Sequence, residues 1–430
     1  MTNVLIYISL MIIYIPGVLF LLHKKIFLIF PLPSVYFLSL FVFNVLGSLV
    51  VIFPSMNIYG FQDLFSIEYY LILVLQCIFF YLMLFLFCNN RNRRYNSLIK
   101  RANGIKLYLL FYILWFFSII SIILFLFFGG NLPIFNISEL LSLSNRGIVE
   151  LRSAAVRSVP RFHWFRIGFY NLPQLATLLS FLIYKRKKTC FNKVMFYISF
   201  IMASFLSISF LYKDKLAVFL VMIVFTLIIY DKKIYYKRII SSIVVGIITI
   251  LFFYFLYFSE TEINYYFNFV IPSLINRIVG VYSIGLAAVI EVVEHQGFFL
   301  GTTFINPMGI FPYESVTLGR VVHLFLFGRT GNATVPAIGE AYANFGWLGI
   351  FLFLFLINYS LFFLNFLVNN LFDKDSILWA LFIVFLAFEV YKLSMTSLFI
   401  GVLSPVNLLI FAFLIFLVIF ISSSNFRNNF

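Results

Sequence analysis

Two stretches of this chain carry arginine and no lysine. NRGIVELRSAAVRSVPRFHWFR supplies Arg146, Arg152, Arg157, Arg161 and Arg166, and the segment 259–345 adds Arg277, Arg320 and Arg329. A guanidinium is a planar fork that grips phosphate or carboxylate through two parallel hydrogen bonds, whereas an ammonium offers only a point charge. Eight arginines without a lysine therefore point to an oxyanion ligand. The competing reading pairs them with Glu139, Glu150, Glu260, Glu262, Glu291 and Glu294, or lays them against lipid headgroups.

His163 and His323 stand close to arginines in sequence, with His295 in the same segment as His323; a histidine so placed can act as a general base or donate to a leaving group. Glu340 and Glu314 are the carboxylates that could activate a hydroxyl. The tripeptide KDK at 213–215 reads as a short turn that holds Lys213 and Lys215 at a membrane surface, at the level of lipid phosphates or as plain anchors. GRTGNATVPAIGEAYANFGWLGIF, 328–351, is polar and glycine-rich and brings Arg329, Asn332, Glu340 and Asn344 to the edge of an apolar run. No metal motif, phosphate loop, GxSxG or dinucleotide fingerprint occurs, so neither a metal nor a cofactor is expected.

The elements that must position these residues are membrane helices. Of 430 residues 63% are hydrophobic, 10% are charged and 61 are Phe, against about 45–50% apolar and about 25% charged in soluble proteins. Runs of about 20 apolar residues occur at 4–22, 27–53, 67–88, 107–128, 167–184, 194–212, 216–230, 239–258, 346–368, 376–395 and 402–421. The expected fold is all-α: one polytopic transmembrane helix bundle over 1–430 with about eleven spans (10–12). The first run is long enough to span and no small-residue cleavage site follows it, which favours a retained helix over a signal peptide. Cys77, Cys88 and Cys190 fall within or at the ends of runs, so no loop holds a disulfide pair.

Basic residues give the orientation. Alternate connections, at 23–25, 89–106, 185–193 and 231–238 with Lys374 and Arg427, hold 19 of the 30 lysines and arginines, twelve of them lysine. Those connections are expected in the cytoplasm, with the N-terminus outside. The net charge of +15 is thereby a topology signal and no nucleic-acid partner is implied. The long connections 129–166 and 259–345 fall outside. Within them, 278–293 is apolar for too few residues to span and reads as an interfacial or re-entrant helix, and a helix is expected from NISEL toward Pro160. Glu389 and Lys392, three residues apart inside a run, can pair on one helix face.

The NATVPAIGEAYANFGWLG pattern runs from a polar turn with proline to a small-residue helix start, an NFG break and an apolar helix. It resembles the O-antigen polymerases, the Wzy-type oligosaccharide repeat unit polymerases, as does the layout of ten to twelve spans with a medium and a large outer loop. Some members carry an arginine, ten residues and a glycine in each main outer loop. Arg157 to Gly168 and Arg320 to Gly331 fit that spacing, as does Arg93 to Gly104 on the other side. The resemblance implies metal-independent, inverting glycosyl transfer at the periplasmic face of a bacterial inner membrane. One undecaprenyl-diphosphate-linked repeat unit attacks the growing chain and undecaprenyl diphosphate leaves. Its partners would be that lipid-linked oligosaccharide, the bilayer and a chain-length regulator protein. The residues assigned to catalysis are Arg320, Arg329, His323 and Glu340, and those assigned to binding are Arg157, Arg161, Arg277, Lys213, Lys215 and Asn332. An O-antigen ligase on a similar scaffold and a lipid-linked oligosaccharide flippase are the alternatives.

Overall fold

The structure is a computed structural model that describes residues 2–23, 26–53, 64–89, 104–135, 151, 154–159, 165–210, 213–233, 237, 240, 241, 244, 248, 276–304, 312–373, 376–396 and 412. Among these, every regular element is helical. In order they are α1 (Thr2–His23), α2 (Pro31–Ile52), α3 (Ile67–Asn89), α4 (Gly104–Phe127), α5 (Ile167–Arg186), α6 (Cys190–Ile208), α7 (Lys213–Asp231), α8 (Val281–Gln296), α9 (Leu318–Phe327), α10 (Ala337–Leu371) and α11 (Ile377–Val390), which a 3₁₀ turn (Tyr391–Ser394) extends. Eight of these helices are long and apolar enough to cross a bilayer. The chain is therefore a multi-pass membrane protein built of helices.

The eight match eight of the expected runs; the three others differ in kind. The expected spans 239–258 and 402–421 fall mostly outside the described residues, as does most of the helix expected from NISEL, of which 154–157 is helical. The run 216–230 is a helix, α7, but Lys213, Asp214, Lys215 and Asp231 sit within its ends. KDK is thus the first turn of α7 and not the turn between two spans. Further boundaries moved for local reasons. Helix α2 follows a short helical turn (Ile26–Ile29) and begins at Pro31 after a break at Phe30, since proline suits the first helical turn, where its missing N–H would have no partner. Helix α6 starts at Cys190 because the Thr189 hydroxyl caps it, accepting from the Asn192 amide at 3.3 Å.

The chain divides into two compact units. Residues 1–96, 262–368 and 386–404 form the first, and 97–261, 369–385 and 405–430 the second. In the second unit α5 is buried along its whole length from Leu172 to Ile183. That burial explains its polarity. Gln174 donates to Ser207 at 3.2 Å, the Thr177 hydroxyl reaches the Ser199 carbonyl at 3.1 Å, and Trp115 donates to the Ser199 hydroxyl at 3.1 Å. Helix α6, by contrast, exposes Phe191, Val194, Ile198, Ile201 and Phe205 along one stripe, the side that suits lipid. At one end of the unit Lys185 pairs with Asp231 at 3.0 Å and Tyr108 donates to Asn192 at 2.7 Å. At the other, Phe125, Phe169 and Phe210 meet edge to face. The basic tracts 185–188 and 231–233 accordingly share one end, as alternation of the helices requires.

The first unit repeats the alternation. Asn3 at the start of α1 donates to the Ile52 carbonyl at the end of α2, and Ser9 meets Tyr70 near the start of α3 at 2.9 Å. At the far end Asn365 of α10 donates to the Ile29 carbonyl. Pro16 has no N–H to give the Ile12 carbonyl, and one residue further on the Tyr81 hydroxyl donates to the Ile13 carbonyl at 3.0 Å. Helix α8 is buried on nearly all sides, with Ile284 to Ile290 at most 3% exposed. It packs inside the unit, with neighbouring side chains around it. π-Helical turns at Phe41–Leu46, Ile167–Asn171 and Asn276–Gly280 each contain an asparagine. The first and third lie close to each other, where Ser283 donates to the Phe43 carbonyl at 2.9 Å.

Candidate functional site

The site grows from the chain between α8 and α10, all within the first unit. Helix α8 ends at Gly297, whose φ of 81° lets the chain turn back. The returning segment is tied to the beginning of α10 by backbone and side chain together. The Phe299 amide donates to the Ala343 carbonyl at 2.9 Å and the Gly301 amide to Asn344 Oδ1 at 2.8 Å. Asn344 Nδ2 donates to the Thr303 hydroxyl at 2.6 Å and to the Glu340 carbonyl at 2.8 Å, and Thr303 donates to Glu340 Oε1 at 3.4 Å. Asn344 and Glu340 lie one turn apart on α10, which explains how one helix face can hold this turn. At 3% exposure, Glu340 is an interior carboxylate. A hydroxyl arriving from solvent would meet it only if the 299–303 turn moved.

From Val316, whose amide donates to the Thr302 carbonyl at 2.8 Å, the chain enters α9. Gly328 ends that helix in the left-handed region at φ 62°, a common C-terminal stop. The stop folds the chain back so that the Arg329 carbonyl faces His323 Nδ1 at 3.0 Å. A carbonyl can only accept, so Nδ1 is the donor, and in the neutral ring that leaves the lone pair on Nε2. The His323 ring lies 4.6 Å from the Phe327 ring, and the Arg329 guanidinium sits 5.9 Å from the same ring on the cation–π side. Across the imidazole, Gly331 approaches so closely that a Cβ there would collide with it. Asn332 lies against Gly319, and the Ala333 amide donates to the Gly319 carbonyl at 2.8 Å, closing the loop onto the start of α9.

Arg320, Arg329 and Asn332 are exposed, and His323 is partly so. The structure thus brings four of the expected residues to one small element, α9 with its return loop, and sets Glu340 apart in the network beneath. Arg157 is exposed and, like Lys213 and Lys215, belongs to the second unit, where Lys215 is half-buried. Arg161 and the side chains of Arg277 and Lys213 lie outside the described residues. The glycines that follow the two arginines by eleven positions share a property: Gly331 is pressed by His323, and Gly168 by Ser121, while Ser118 donates to the Gly168 carbonyl at 2.6 Å. Each needs the absence of a Cβ. Among the described residues no cluster of His, Cys, Asp and Glu suits a metal.

Glu291 and Glu294 stand one turn apart near the end of α8. Partial burial and the neighbouring Glu294 raise the Glu291 carboxyl above its ordinary range, and His295 opposes the shift. Neither acid forms an ion pair with an arginine among the described residues. Thr303 and the amide pair Asn44 and Gln76, whose side chains meet at 3.3 Å inside the first unit, were not anticipated. The signal for Asn44 and Gln76 was available as isolated amides in otherwise apolar runs, which a bilayer tolerates only inside protein. The comparisons with known proteins found no matching family model, no matching curated protein and no matching solved structure.

Proposed function

We propose that the chain polymerises undecaprenyl-diphosphate-linked oligosaccharide repeat units into O-antigen or a related surface polysaccharide, by inverting glycosyl transfer at the periplasmic face of a bacterial inner membrane. The observation that carries this reading is the use of arginine without lysine in both long connections, with Arg320 and Arg329 presented on one exposed element beside His323. In such a transfer the acceptor hydroxyl attacks the anomeric carbon, the bond to the diphosphate breaks, and the diphosphate departs with the electron pair. Guanidinium groups fixed in place stabilise that developing charge. His323 Nε2 is the base that takes the hydroxyl proton. Glu340 acts through Thr303 and Asn344 as a positioning residue, and Asn332 is a hydrogen-bonding contact for the saccharide. Arg157, Arg161, Arg277, Lys213 and Lys215 are proposed as anion-binding residues from their type and sequence setting alone, and a chain-length regulator is the expected protein partner in this reading.

Lysine keeps the charge and loses the fork. Arg329→Lys, Arg320→Lys and Arg157→Lys are expected to shorten or abolish the polymer ladder at near-normal membrane abundance. One lost transition-state contact costs about 2.7–4 kcal/mol, roughly 100- to 1,000-fold in rate. Wild-type ladders from all three variants would leave surface pairing as the better account of these arginines.

A further inference from the structure

Helix α9 buries part of its apolar surface and leaves the rest uncovered. Leu318 and Val322 are buried in the first unit, while Leu324, Phe325 and Phe327 are 55%, 40% and 37% exposed. Ten residues are too few to cross a bilayer, so these uncovered apolar side chains are not those of a span. Arg320 and Arg329 stand at its two ends, both exposed. Beside it, the turn after α8 holds Phe298 and Leu300 outward at 51% and 75% exposure. Leu300 adopts φ 50°, a left-handed backbone that a leucine rarely takes. The His295 ring lies 5.9 Å from that of Phe325, which joins the end of α8 to α9 and makes the two displays one surface.

We propose that α9 and the 297–301 turn dock into the bilayer leaflet at this end of the first unit, with Leu300, Leu324, Phe325 and Phe327 among the acyl chains and Arg320 and Arg329 at the phosphates. Lipid is favoured over protein by continuity: Phe345, Leu348, Phe351 and Leu352 of α10, immediately downstream, are exposed on a helix that spans. The rim chemistry agrees, since arginine at the edge of an apolar surface suits headgroup phosphate. Exposed Glu294 and Glu314 lie in the same connection, so the phosphates of ordinary phospholipids suffice and an excess of anionic lipid is not required. Docking holds whether or not the chain is a polymerase.

The test places p-benzoylphenylalanine at position 300, 325 or 327 of the full chain, reconstituted in vesicles of phosphatidylethanolamine and phosphatidylglycerol, with exposed Ser315 as the reference position. After irradiation, phospholipid adducts at two or more of the three sites should exceed those at 315 by about tenfold. Adducts no greater than at 315 would overturn the proposal, as would crosslinks chiefly to a second copy or to another protein. Three independent positions keep the result decisive if one variant fails to accumulate.

Discussion

At the scale of single residues, the intramembrane pair shows what the sequence made legible. Glu389 and Lys392 are spaced to meet on one helix face, and Lys392 Nζ donates to Glu389 Oε1 at 2.6 Å. With Glu389 only 2% exposed, removing Lys392 takes away the ammonium that holds this carboxylate at 2.6 Å, a loss of the kind that costs about 3–5 kcal/mol in a buried pair. Lys392→Ala and Glu389→Ala are therefore expected to lower membrane abundance more than the double alanine variant does, as immunoblots of membrane fractions would show. If the double variant accumulates no better than either single variant, compensation is not the pair's role. The arginines were legible by type; their setting was not. That His323 would turn its Nδ1 toward the Arg329 carbonyl depends on the left-handed stop at Gly328. Likewise, Glu340 looked like an accessible acid in a polar stretch, and its burial depends on a turn forty residues upstream that folds over it.

Among the elements, apolar run length located eight helices well because a bilayer forces every spanning backbone to satisfy itself. Ends were less legible, being set by Thr189 as a cap, by Pro31 in a first turn and by charges that helices such as α7 take into their ends. The NFG break was correctly anticipated. Gly346 has φ 58° and ψ −139°, a backbone essentially closed to other residues, and it separates the segment that holds Asn344 and Glu340 from the apolar remainder of α10. A Cβ at this position would also press on the Phe298 ring at 2.9 Å. Gly346→Ala should destabilise the protein by about 1–3 kcal/mol, read as a lowered Tm in detergent. Leu348→Ala, at a site 65% exposed, should leave Tm nearly unchanged. Equal Tm values for the two variants would show that the break carries no strain.

For the whole molecule, the charge distribution makes a claim that the helix alternation supports within the second unit, where the basic tracts 185–188 and 231–233 share an end. Reporters fused after Arg94, Lys188 and Lys237 are expected to read cytoplasmic, and those after Arg152 and Asn332 external. An external reading at Lys188 would invert the account. The division into two units was not legible, because it depends on which helices pack together and apolar runs look alike whichever neighbour they meet. Function is the furthest step, and a reconstituted reaction tests it most directly. The purified protein in liposomes, given lipid-linked repeat units extracted from its own host and excess EDTA, should lengthen them into a ladder. One undecaprenyl diphosphate should be released for each bond formed. Repeat units that remain single under these conditions, whether untouched or moved across the bilayer, would contradict the assignment as a polymerase.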